Sequence, residues 1–100
     1  MKQVLIIPDR NHLAECVCLA EEYHLGFEYN DFFMPAILDD EDKLNNIVAM
    51  YQQNKLPEYT TIHGAFFDVI PFSMDAKIRE ISDFRIRQSI QVAERVGAKA

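Results

Sequence analysis

Three places in this 100-residue sequence put polar, titratable side chains directly after a short apolar run. Pro8, Asp9 and Arg10 follow residues 4–7, Glu28, Asn30 and Asp31 close residues 27–29, and His63 and Asp68 follow residues 59–62. In α/β proteins a strand that gives way to a polar loop is where functional groups gather. His63 is the sharpest case. Tyr59, Thr60, Thr61 and Ile62 favour a pleated, half-buried backbone, and Gly64 then allows a sharp turn or the close approach of a ligand. The commonplace alternative is a histidine that ends a strand by hydrogen-bonding a neighbour. Phe32, Phe33, Phe66 and Phe67 lie beside these ends and can wall a pocket, or can simply pack as buried aromatics do.

The elements that must carry these groups follow from the apolar pattern. Residues 4–7 are an unbroken apolar run, as expected of a strand buried on both faces. A helix follows with Asn11 as its N-cap. Leu13, Cys16, Val17, Ala20 and Tyr23 form its apolar stripe, and Gly26 stands as its stop. Residues 27–29 read as a second strand. Residues 32–38 are apolar but aperiodic and contain a proline, which predicts a loop packed over something. Asp39, Asp40, Glu41 and Asp42 announce a helix N-terminus with Leu44, Ile47, Val48 and Tyr51 buried. After the histidine strand, residues 66–73 read as a second proline-containing loop. A long helical pattern then runs from Asp75 to Val96, divisible near Ser82, with Ile78, Ile81, Ile86, Ile90 and Ala93 inward and the arginines largely outward. Gly97 ends it, and residues 98–100 approach another strand. Strands alternating with helices predict βα units on a parallel sheet, either one wall of a barrel or part of a doubly wound sheet.

Composition narrows the function classes. The length suits one small domain. A net charge of −6 argues against a general binder of nucleic acid or of anionic membrane, because neither phosphate backbone nor acidic lipid would be attracted. No apolar run approaches the roughly 18 residues needed to span a bilayer, and the N-terminal run is too short for a signal peptide. Cys16 and Cys18 sit two apart on a helix and point away from each other. They predict reduced thiols in a cytoplasmic protein, with neither a disulfide nor a zinc ligand set.

Residues 26–30, Gly-Phe-Glu-Tyr-Asn, resemble the Gly-Phe-x-x-Glu type of segment found in the xylose-isomerase-like sugar phosphate isomerase/epimerase superfamily. Thr61-Ile62-His63-Gly64 resembles that family's third strand, which commonly ends in His followed by Gly or Ala. Residues 90–100 resemble the helix and Gly-Ala approach that precede its fourth strand. The resemblance implies an α/β fold, a parallel βαβαβα series forming the first three units of a (β/α)8 TIM barrel. Such a barrel takes roughly 250 residues, so residues 1–100 would be a single partial domain truncated before the fourth strand.

The chemistry implied for the intact protein is proton transfer next to a sugar carbonyl. A divalent metal (Mn, Mg or Zn) would polarise the carbonyl while carboxylates move the proton. By the same resemblance His63, Glu28 and Asn30 bind substrate. In multi-metal relatives such as apurinic endonucleases the third-strand His is a metal ligand, so the resemblance gives His63 substrate positioning first and metal binding second. The main ligands and the acid/base pair belong to later strands beyond Ala100, so the 100-residue chain alone is expected to be inactive. Its expected partner is a small sugar or sugar phosphate, not nucleic acid or a membrane. Two other readings stand beside this one. One is an apurinic-type metal-dependent endonuclease, disfavoured by the negative charge. The other is a non-catalytic interaction module whose open sheet edges invite self-association.

Overall fold

The computed structural model describes residues 3–100. Three short strands, β1 (Leu5–Ile6), β2 (Gly26–Tyr29) and β3 (Thr60–Ile62), alternate with four helices, α1 (Leu13–Tyr23), α2 (Pro35–Leu38), α3 (Glu41–Gln52) and α4 (Ala76–Val96). The strands are parallel and lie in chain order, with Leu5 opposite Gly26, and Phe27, Glu28 and Tyr29 opposite Thr60, Thr61 and Ile62. Parallel neighbours need long crossovers, and the helices supply them. Along the outer edge of β3, the Lys99 N–H donates to the Thr60 carbonyl at 2.7 Å and the Ala100 carbonyl accepts from the Ile62 N–H at 2.8 Å. Lys99 and Ala100 thus lie alongside β3, although they form no assigned strand. Among the described residues no helix is long and apolar enough to cross a membrane.

The core lies between one face of this sheet and the helices. Phe27, Tyr29, Phe32 and Tyr51 are fully enclosed, with the Tyr29 and Tyr51 rings 4.6 Å apart and Phe32 edge-on to Tyr29. Ile47 and Val48 of α3 and Val92 and Val96 of α4 close the cluster. The stripe predicted for α3 is therefore its buried face. Asp40 caps that helix by accepting from the Lys43 N–H at 3.1 Å, as its acidic start suggested.

Elsewhere the structure corrects the sequence reading. The first strand is only two residues long, and Val4 and Ile7 are 57% and 58% exposed. Leu5 and Ile6 themselves are only half-buried, so the run is not buried on both faces. Asn11 does not cap α1. Instead Asp9 accepts from the Asn11 N–H at 2.9 Å and opens a 3-10 turn at Arg10–His12 ahead of the helix. Tyr23 is exposed rather than inward.

The helix stops at His24, which adopts the left-handed conformation (φ 55°). Gly26 belongs to β2, where a Cβ would come within 2.5 Å of the Tyr59 carbonyl oxygen and 2.6 Å of Leu5 Cδ2. Its missing side chain permits strand packing, not helix termination. In the apolar stretch after β2, Phe32 and Leu38 are buried as a packed loop requires, but residues 35–38 wind into a single helical turn started by Pro35.

The largest correction concerns α4. It is one continuous helix of 21 residues, and Ser82 is wholly buried rather than marking a break. Ser82 Oγ accepts from the Ile70 N–H at 2.7 Å, so the residue ties the preceding loop to the helix. The inward positions are Ser82, Val92 and Val96, whereas Ile78, Ile81, Ile86 and Ile90 are all exposed. Gly97 ends the helix in the left-handed conformation (φ 71°), as expected of a glycine stop.

Candidate functional site

Side chains alternate across a strand. With Phe27 and Tyr29 turned toward the helices, Glu28 and Thr61, which are register partners, stand side by side on the opposite face of the sheet. The ladder continues one step further, because the His63 N–H donates to the Tyr29 carbonyl at 2.9 Å. That step sets Asn30 and His63 next to each other at the carboxyl end of β2 and β3. The three expected substrate-binding residues, Glu28, Asn30 and His63, are thus gathered on one face with Thr61. The Asn30 Oδ1 and Thr61 Oγ1 atoms are buried there without a hydrogen-bond partner.

Local structure fixes His63. Immediately after it, a Cβ on Gly64 would meet Ser89 Cβ at 2.9 Å and Ser89 Oγ at 3.0 Å. Glycine therefore lets the chain pass tight against α4 and turn away from the strand. Ser89 Oγ then accepts from the Ala65 N–H at 2.9 Å and donates to the Arg85 carbonyl at 3.0 Å. The His63 ring places Nδ1 3.1 Å from the Gly64 carbonyl oxygen. A donating Nδ1–H there leaves Nε2 as a free acceptor. The exposed imidazole sits edge-on to Phe66 at 4.8 Å and to Phe33 at 5.8 Å, and Phe67 lies 4.1 Å beyond Phe66. Phe33, Phe66 and Phe67 thus form a wall beside His63, whereas Phe32 is sealed in the core. Asp68, further along the loop, is exposed in the left-handed conformation (φ 58°) and is not drawn into this group.

A second cluster occupies the carboxyl ends of β1 and β2, and joins Arg10 and Asp31 of the expected strand ends to Tyr51, which the sequence marked only as a buried residue of α3. Arg10 Nε is 2.9 Å from Asp31 Oδ1, and the Tyr51 hydroxyl donates to Asp31 Oδ2. Burial pushes the Asp31 carboxyl above its ordinary value, against the opposing pull of the Tyr51 hydrogen bond and the Arg10 charge. Burial, then the hydrogen bond to Asp31, raises Tyr51. The neighbouring Tyr29 phenol is pushed up to about 12, chiefly by burial. An open groove of about 550 Å³ runs past Arg10, Asn30 and Asp31. The only sequence trace of this cluster was polar residues at two strand ends; the tyrosine reaches it from α3, 20 positions after Asp31.

Metal ligation has less to stand on. Among the described residues no three His, Cys, Asp or Glu side chains come together to hold a metal ion. His63 offers one imidazole with Glu28 on the adjacent strand, short of the several donors a hard divalent ion wants.

No known protein family and no curated protein matches the chain. A solved structure that it is similar to is the TTHB071 protein from Thermus thermophilus, determined after soaking with ZnCl2. The TM-score is 0.62 at 17% identity, over 96% of this chain and 36% of that one. At this identity the likeness is one of fold. The chain spans about a third of that protein's length.

Proposed function

We propose that this chain forms the opening three units of a (β/α)8 barrel of the sugar isomerase/epimerase type, and that it contributes substrate-binding side chains rather than the reacting groups. One observation carries the reading. Glu28 with Thr61, and Asn30 with His63, form two adjacent polar pairs on the sheet face turned away from the helices, at the carboxyl end of parallel strands. A barrel keeps its substrate at that end. Hydroxyl-rich substrates suit a face made of a carboxylate, an amide, a hydroxyl and an imidazole, each able to hold one sugar hydroxyl. Proton transfer next to the carbonyl needs an acid/base pair, and metal assistance needs a fuller ligand set. In this reading both come from strands other than these three.

The test is a ¹H–¹⁵N titration of the chain with free and phosphorylated aldoses and ketoses. Shifts concentrated at Glu28, Asn30, Thr61 and His63, and abolished by His63→Ala, are expected. Shifts that fall instead on the groove at the opposite end of the sheet, lined by His24, Lys55 and Tyr59 among others, would overturn the reading.

A further inference from the structure

We infer that the part of the substrate held by this chain is an uncharged polyol with its C–H face laid on the Phe33 and Phe66 rings, and not a phosphate group. The inference deepens the sugar reading of the same site and rests on it. Hydrogen-bond polarity decides between the two. Glu28 when ionised only accepts, Asn30 presents a buried acceptor oxygen with no partner, and His63 leaves Nε2 free to accept once Nδ1 donates to Gly64. Two of these groups only accept, while the Asn30 amide and the Thr61 hydroxyl can also donate, so the balance favours a ligand rich in donors. Sugar hydroxyls donate, whereas an ionised phosphate brings acceptor oxygens and negative charge. The cation at the neighbouring strand end is already offset by a carboxylate, since Arg10 Nε lies 2.9 Å from Asp31 Oδ1. The chain's net charge of −6 adds no attraction for an anion.

The aromatic wall supplies the other half. Phe33 and Phe66 are 5.4 Å apart, Phe66 and Phe67 4.1 Å, and Phe66 and Phe67 are each about half exposed. A ring face is electron-rich and attracts polarised C–H edges. Apolar rings beside a set of acceptors match the two-sided surface of a sugar, with C–H groups on one side and hydroxyls on the other.

The experiment compares a free ketohexose with the same sugar carrying a terminal phosphate, by saturation transfer and by titration of the chain. Expected are transfer from the Phe33 and Phe66 rings to sugar C–H protons, and binding of the free sugar roughly tenfold tighter than the phosphorylated one. Phe66→Ala should weaken the free sugar by roughly five- to tenfold, while Phe66→Leu, which keeps apolar contact without a ring, should recover only part of the loss. Circular dichroism checks that both variants fold. Equal or tighter binding of the phosphorylated sugar, with shifts at Glu28 and His63, would overturn this inference and leave the sugar reading standing. Binding of neither sugar would overturn both.

Discussion

On one face of the sheet Phe27 and Tyr29 are wholly enclosed by aromatic and aliphatic side chains of α3 and α4. On the other, Glu28, Asn30 and Thr61 are half-buried and His63 is exposed; the Asn30 Oδ1 and Thr61 Oγ1 atoms there lack partners, as does the Tyr29 hydroxyl on the enclosed face. The same strands, read at alternate positions, build a closed core on one side and, under the proposed function, a recognition face on the other. Substitutions should therefore be felt in folding on the first face, and in binding with little loss of stability on the second.

The largest effect belongs to the enclosed face. Phe27→Ala empties a fully buried aromatic site and should cost about 3–5 kcal/mol, measured by urea unfolding; a loss below about 1 kcal/mol, a size typical of surface changes, would remove the contrast. Gly26→Ala comes next. Its Cβ would lie 2.5 Å from the Tyr59 carbonyl oxygen, which forces β2 and the chain entering β3 apart and should cost about 1–3 kcal/mol by the same unfolding measurement.

A smaller and pH-dependent effect is expected at Asp31. Burial raises its folded pKa above the unfolded value of 3.8, so the folded state holds the proton more tightly. Stability contributed by this residue is present below the unfolded pKa and is lost as pH rises through the folded one. Asn cannot titrate and still offers an acceptor to Tyr51. The melting temperature of Asp31→Asn relative to the natural chain should therefore rise as pH increases through that window; a difference that falls with pH would show the Arg10 and Tyr51 contacts outweighing burial. Least of all should His63→Ala change stability, within about 0.5 kcal/mol as exposed substitutions usually do, while removing the response to sugars. A large loss of stability there would make His63 structural and erase the division between the faces.

Much of this was legible in the sequence, for local reasons. The α3 stripe, its acidic cap and the Gly97 stop are signals carried within a few residues, and so is the strand ending on His63. What escaped depended on neighbours distant in the chain. Helical spacing marks Ile86 and Ile90 as apolar, but only packing decides that α4 turns Ser82, Val92 and Val96 inward instead. Gly26 looked like a helix stop because glycine commonly is one; the close approach of Tyr59, at the entry to another strand, explains it better. The Arg10–Asp31–Tyr51 cluster joins a turn, a strand end and a helix, and no local pattern announces such a meeting. The site was half legible. Strand ends pointed to Glu28, Asn30 and His63, but their side-by-side register, and the exclusion of Asp68, needed the sheet.

Two serine hydroxyls on α4 also fix the aromatic wall. Ser89 pins the chain at Ala65 and Ser82 pins it at Ile70, like rivets at the ends of a short strap. Between them hang Phe66, Phe67, Asp68 and Val69. Both ends of the segment that carries Phe66 and Phe67 are therefore set from α4, so the place of the aromatic wall beside His63 depends on that helix as much as on β3.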